Sequence, residues 1–191
     1  MAGMVDRMVR ASRLEPELYE EVEADSTLNQ EALMVVIIVS VAAGIGGLIA
    51  GLIAGDAGAA ILGLVVGVVL GVVNYYIWAY VTYFVGTNLF NGTATVGEML
   101  RTLGFASAPR ILGLLVFIPC VGPLISLVGA IWSLVAGVIA VRQALDFDTG
   151  KAVITVIIGW VIILIITFVV AAIIGVGMAG VGALGGAMGG A

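Results

Sequence analysis

The sequence predicts an all-α fold: a polytopic membrane helical bundle of five transmembrane helices, preceded by a short amphipathic and acidic N-terminal helical arm. Three observations predict it. From Ala32 to Ala191 there are eight charged residues, and they fall at a few points between long apolar runs. The chain is 62% hydrophobic and 10% charged, with a mean hydropathy of +1.28. A soluble domain is roughly 45–50% apolar and about 25% charged, so this little charge cannot cover a water-facing surface. The uncharged intervals are also long enough: a hydrocarbon core of roughly 30 Å takes about 20 residues of helix. The chain has room for five such stretches and none for a separate soluble domain.

Residues 1–31 form the arm. They hold Arg7, Arg10 and Arg13 against eight acids and so carry the whole net charge of −5. Met1, Met4, Val5, Met8 and Val9 recur at helical spacing with Asp6, Arg7, Arg10 and Arg13 on other faces, the pattern of a helix lying on a membrane surface. Pro16 suits the first turn of a second short helix, which carries Leu18, Tyr19 and Val22 beside Glu20, Glu21 and Glu23. Thr27 with Gln30 reads as a capping box for the helix that follows. No short apolar stretch with a small-residue cleavage site is read at the N-terminus, so the first span itself directs insertion.

The membrane domain is read as residues 32–176, with spans at about 32–54, 57–85, 96–118, 124–141 and 152–176. Asp56 marks a tight turn between the first two. The second is longer than the bilayer core and must tilt or project. Tyr75, Tyr76, Trp78, Tyr80 and Tyr83 crowd its far end, where aromatic rings favour the headgroup level. A polar loop from Gly86 to Ala94 contains the turn signal Asn91-Gly92. Thr95 and Glu98 fit a capping box, and Pro109 kinks the helix they start because it lacks an N–H. Pro119-Cys-Val-Gly-Pro123 breaks the chain again, Arg142 to Lys151 is a short charged loop, and residues 177–191 are a Gly/Ala-rich tail.

Charge orients this arrangement. With the N-terminus inside, the inside segments carry every Lys and Arg, and the turns at Asp56 and Pro119–Pro123 carry none, as the positive-inside rule requires. The expected location is a cell inner (plasma) membrane, multi-pass, with a cytosolic N-terminus and an outside C-terminus. In an alternative path, residues 96–108 lie on the interface and 110–118 form a re-entrant loop. That path places Arg142 and Lys151 outside, against the same rule.

Two features stand out for function. Gly47, Gly51 and Gly55 in the first span, and Gly63, Gly67 and Gly71 in the second, form small-residue faces. They predict a close antiparallel hairpin, or a seam between two copies. Arg110 lies about 21 Å along the third helix. Such an arginine costs about 2.5–3.5 kcal/mol on insertion scales unless it is paired or snorkels. Its candidate partners are Glu98, Asp146, Asp148 and the acids of the arm; it is either a bundle-locking ion pair or an anion, headgroup or partner site. Glu98 and Arg101, three apart, are expected to pair on one face. Arg101, Arg110, Arg142 and Lys151 are the only basic residues beyond the arm, so the arm is expected to dock on them, with Glu20, Glu21 and Glu23 as its contacts. Asp146, Asp148 and Lys151 otherwise read as a solvated loop, and Asn74 as interhelical glue.

Other functions are excluded or weakened by composition. With no histidine and one cysteine, Cys120, the chain lacks the usual metal ligand and proton shuttle and any internal disulfide. No metal site, cofactor or catalytic set is read. A chain without a basic patch does not bind nucleic acid. The Asn91-Gly92-Thr93 sequon falls inside by this topology and is discounted.

The stretch Gly104-Phe-Ala-Ser-Ala-Pro109 resembles the Gly-aromatic-x-x-x-Pro signature of the third span of the Yip domain family, Ypt/Rab-interacting membrane proteins and their bacterial relatives. Pro119-Cys-Val-Gly-Pro123, Ile131-Trp-Ser-Leu134, Val141-Arg-Gln-Ala-Leu145 and the LYEEVEAD run before the first span are similar to the bacterial branch. The resemblance covers about Leu14 to Phe168. It implies five helices, a cytosolic N-terminus and an outside C-terminus. Eukaryotic members are associated with Rab GTPases and carry an Asp-Leu-Tyr-Gly-Pro segment; here Glu17-Leu-Tyr19-Glu20 is the nearest run.

The resulting expectation is a non-enzymatic Yip-like integral membrane protein that organises membrane or binds a partner through its cytosolic face. Its partners are the lipid bilayer and another membrane protein or a second copy of itself. Two readings stay open beside it: a small transporter or lipid-translocating protein with a cavity near Arg110, and an accessory subunit of a larger membrane complex.

Overall fold

The computed structural model describes residues 3–166 and 168–169. The expected end of the last span at 176 and the tail 177–191 lie outside the described residues. Every regular element among them is helical: α1 Met4–Ser12, α2 Pro16–Ala24, α3 Asn29–Ile53, α4 Ala57–Phe90, α5 Val96–Ala106, a 3-10 segment Ala108–Phe117, α6 Gly122–Ala144 and α7 Thr149–Ile166. Four of these helices are long and apolar enough to cross a membrane, and five spans result when α5 and the 3-10 segment count as one.

Local chemistry sets the boundaries. Leu14, at a φ of 63°, turns the chain between α1 and α2. The start of α3 differs from the expected Thr27–Gln30 box. Asp25 is the cap: its Oδ1 accepts from Thr27 N at 2.9 Å and opens a 3-10 turn, Ser26–Leu28, that leads into the helix. Asp56 caps α4 by accepting from Ala59 N at 3.0 Å, after a turn that needs a glycine at Gly55, whose φ is 84°.

The fourth helix runs to Phe90, past the loop expected from Gly86. Its polar last turns stay helical because Thr87 Oγ1 and Asn88 Nδ2 donate back to the carbonyls of Tyr83 and Phe84. The Asn91-Gly92 signal then ends it: Asn91 takes φ 56° and Gly92 N donates to Gly86 O. At 34 residues α4 is about 51 Å long, well beyond the bilayer core. Ile61, Leu62, Val65, Val69 and Leu70 stand exposed along it, as a lipid-facing helix requires.

The expected third span is broken, not merely kinked. The Thr95–Glu98 capping box forms as expected. The α-helix then stops at Ala106, because Pro109 has no N–H to give and its ring opposes the carbonyl four residues back. The chain bends by 42° and continues as ten residues of 3-10 helix, where runs beyond three or four are uncommon. That segment passes between α3 and α6 at backbone distance. A Cβ added at Gly46 would lie 2.5 Å from Leu114 O, and one at Gly129 would lie 2.9 Å from Pro109 O. Gly104 meets Ala32, Gly113 meets Ala43 and Gly46 meets Leu114. The bent pair therefore runs alongside α3 from Ala32 to Gly46.

At the other end, Cys120 takes φ 64° in the turn after Pro119, and Pro123 sits in the first turn of α6. Asp148 Oδ1 accepts from Lys151 N at the start of α7. The best-buried side chains gather at the end where the arm lies: Leu18, Tyr19, Val22, Met99, Phe105, Val141 and Leu145.

Candidate functional site

Two places bring polar groups into the bundle: the seat of the arm and the middle of the span region. At the first, α2 packs against α5 and α6 and buries Leu18, Tyr19 and Val22 completely. Arg101 is the latch. Its side chain is buried, and it donates from Nε to Val22 O at 2.8 Å, from Nη1 to Asn29 Oδ1 at 3.1 Å, and from Nη2 to Glu23 O. The five N–H groups of a guanidinium form a rigid fork that can serve several acceptors at once. Here they satisfy the carbonyls of the last turn of α2, which no intrahelical donor reaches.

This differs from the expected charge pairing. Glu98 does not pair with Arg101, because its carboxylate is committed to Thr95 N at 2.7 Å in the capping box. Of the three arm acids, Glu20 accepts from the Gln143 amide at 2.7 Å, Glu23 contributes its backbone carbonyl, and Glu21 turns inward to the arm. The ion pairs recorded among the described residues all start from arm arginines: Arg7 to Glu21 and Glu31, and Arg10 to Glu15 and Glu21. Arg7, expected on a polar face of a helix lying on the membrane, is buried and ties α1 to α2 and to the start of α3. Burial pulls its pKa down, but hydrogen bonds to Glu31 and Glu21 more than offset that and hold it above the usual value. The excess of acids over arginines in residues 1–31 was the available signal that these arginines would be claimed within the arm.

The remaining expected residues serve the loops. Arg142 donates to Gln143 Oε1 at 2.9 Å, Asp146 accepts from Thr93 Oγ1 at 2.9 Å, and Lys151 Nζ sits 5.8 Å from the Phe147 ring centre. Tyr75, expected in a headgroup belt, is buried and donates to Leu100 O at 2.7 Å. It braces α5 against α4.

Glu23 gives the seat a pH dependence. Desolvation, with the nearby charges of Glu98, Asp146 and Glu20, pushes its carboxyl up from 4.5 to about 7, against the opposing pull of Arg101. The docked value lies above the released one, so the docked arm holds the proton more tightly. Docking is strongest below about pH 4.5 and weakens as the pH rises through about 7. Glu23→Gln is expected to raise the melting temperature at pH 8, less at pH 5, and to leave it nearly unchanged below pH 4. The rise should be a few degrees, the shift that about 1 kcal/mol gives in a chain of this size, discounted because the carboxyl is only half-buried. Equal effects at the highest and lowest pH would contradict this.

The second place is Arg110. None of its expected partners reaches it: Glu98, Asp146, Asp148 and the arm acids are all held at the arm end. Among the described residues its guanidinium has no hydrogen bond and no ion pair, and the residue keeps accessible surface where it lines open space within the bundle. It lines two cavities. One, of about 390 Å³, lies between α3 and α4; the other, of about 270 Å³, lies among α3 to α7.

The first cavity corrects the glycine seam. The two helices touch where Gly71 meets Ser40, where Gly44 meets Leu64, and where a Cβ added at Gly51 would come 2.5 Å from that of Ala60. Gly47, Gly63 and Gly67 have nothing within 4 Å and face the cleft instead, and Gly55 serves the turn. A stripe of small residues permits close approach but does not enforce it, and the bent pair claims the neighbouring Gly46 face of α3.

Residues 15–185 match the Yip1 domain. No curated protein and no solved structure matches the chain. The match takes in the arm helix α2, the broken span with Gly104 and Pro109, and every membrane helix described above; this chain belongs to the Yip1 domain family.

Proposed function

We propose that the protein is a non-enzymatic, five-span membrane protein that binds a protein partner at the end of the bundle the arm covers. That end is cytosolic, in an inner (plasma) membrane. One observation carries the reading: a buried arginine, Arg101, holds the arm by backbone carbonyls. A contact of that kind recognises a helix end without regard to its side chains. Another helix with an apolar face and a free C-terminal turn can therefore take the arm's place over Met99, Val141 and Leu145. The arm lacks an Asp-Leu-Tyr-Gly-Pro segment, so the reading names no small GTPase. The orientation is supported by basic residues clustered at the arm end and absent from the Asp56 and 119–123 turns.

The test is a photo-crosslinking residue at Met99 in cells. In the unaltered protein it is expected to crosslink within the chain. With Arg101→Ala it is expected to give an adduct with a second protein. Loss of the internal crosslink without any intermolecular adduct would contradict partner binding. An impermeant thiol reagent that reaches Gly3→Cys only from outside would contradict the orientation.

A further inference from the structure

The surroundings of Arg110 have the chemistry of a lipid site. Arg110 lies at the level of Ser40, which is about 16 Å into α3 from Asn29, close to the middle of a hydrocarbon core of roughly 30 Å. A fixed positive charge at that depth is costly without a counter-charge, and the described protein supplies none. The Arg110 guanidinium, the Ser40 hydroxyl and the Asn74 amide line the second of these cavities together, and none of them has a hydrogen bond among the described residues. Ser107 and Ser133 stand beside them, with their hydroxyls donating to Gly104 O and Ala106 O. They offer oxygen lone pairs but no spare proton.

The cleft between α3 and α4 leads away from this polar pocket. Ala43, Gly47, Gly63 and Gly67 form its walls, and all four are exposed, so it opens sideways toward the bilayer. It carries no charge besides Arg110 at its inner end. A polar, cationic pocket continuous with an apolar, laterally open groove matches one kind of molecule, an anion carrying a hydrocarbon chain.

We propose that Arg110, Ser40 and Asn74 bind the phosphate of an anionic phospholipid, with one acyl chain lying in the α3–α4 cleft along Gly47, Gly63 and Gly67. A guanidinium meets a phosphate through paired, charge-assisted hydrogen bonds, and the lipid supplies the counter-charge that the protein lacks. The side opening selects a lipid over free phosphate, which has no path through hydrocarbon. This site stands independently of the arm and of the partner proposed above.

Native mass spectrometry of the full chain in mild detergent tests it, with phosphatidylglycerol, phosphatidylcholine and inorganic phosphate as probes. Phosphatidylglycerol is expected to be retained in preference to phosphatidylcholine. Arg110→Gln should lower that retention by about tenfold or more, the scale of losing a hydrogen-bonded charge contact. Gly67→Leu, at a position with free space around it, should also lower it by blocking the cleft. Arg142→Gln, at the arm end, should leave it unchanged. Equal retention of both lipids, or an unchanged preference in Arg110→Gln, would overturn the site. Equal losses in Arg142→Gln and Arg110→Gln would assign the preference to surface charge and overturn it too. Competition by inorganic phosphate, with Gly67→Leu without effect, would assign the pocket to the free ion and overturn the lipid.

Discussion

Arg101→Ala is expected to release the arm while the spans stay folded. The change removes three hydrogen bonds from one cationic donor group. Hydrogen bonds to charged groups are each worth about 1.5–3 kcal/mol, and groups left buried without partners add to the loss. Three such bonds put the cost to docking at about 5 kcal/mol or more, a factor above a thousand in the bound-to-free ratio of the arm. Hydrogen exchange reads this directly. Amides of Leu18 to Glu23 should exchange slowly in the unaltered protein and near free-peptide rates in the variant, with those of α3 and α6 little changed. Arg101→Lys should fall close to Arg101→Ala, because one ammonium cannot serve Val22 O, Glu23 O and Asn29 Oδ1 together. Slow exchange across the arm in both variants would show that apolar burial of Leu18, Tyr19 and Val22 suffices, and would remove Arg101 from its role.

Gly46→Ala is expected to prevent folding, whereas Gly63→Ala should be tolerated. The Cβ at Gly46 would sit 2.5 Å from Leu114 O and 2.7 Å from Gly113 O, both backbone atoms of the 3-10 segment that cannot rotate away. Relief requires parting α3 from the broken span, a loss above the usual overpacking cost of about 1–3 kcal/mol. At Gly63 nothing lies within 4 Å, and alanine gains about 1 kcal/mol of helix propensity over glycine. The yield and melting temperature of monodisperse protein in detergent measure both. Equal loss in the two variants would mean that the α3–α4 cleft closes in the membrane.

These glycines also mark where sequence reasoning ran out. The runs at Gly47 and Gly63 announced a small-residue face. However, α3 has glycines on adjoining faces, at Gly44, Gly46, Gly47 and Gly51, and only the position of the broken span decides which are used. The break itself was legible, since Pro109 must end an α-helix, and so was its start at Thr95 and Glu98. Ten residues of 3-10 helix were not, because nothing in Arg110–Phe117 separates that geometry from an α-helix; it depends on the narrow space between α3 and α6. The arm's acids suggested that it docks, but the contact is not the charge pairing they implied. Carboxylates are visible in a sequence, whereas the carbonyls of Val22 and Glu23 that Arg101 binds belong to the backbone and leave no trace there. Arg110 stood out as an intramembrane charge. Its lack of a partner became visible only once Glu98, Asp146 and Asp148 were seen engaged elsewhere.

A distance measurement shows most directly whether the arm lies folded over one end of the bundle in the membrane. Spin labels at Glu17→Cys and Thr149→Cys, both exposed, would report on α2 and α7 in lipid nanodiscs. Cys120→Asn serves as background, since asparagine tolerates the positive φ of that turn. One narrow distance distribution is expected, broadening with Arg101→Ala. A broad distribution in the unaltered arm, indifferent to Arg101, would contradict a docked arm.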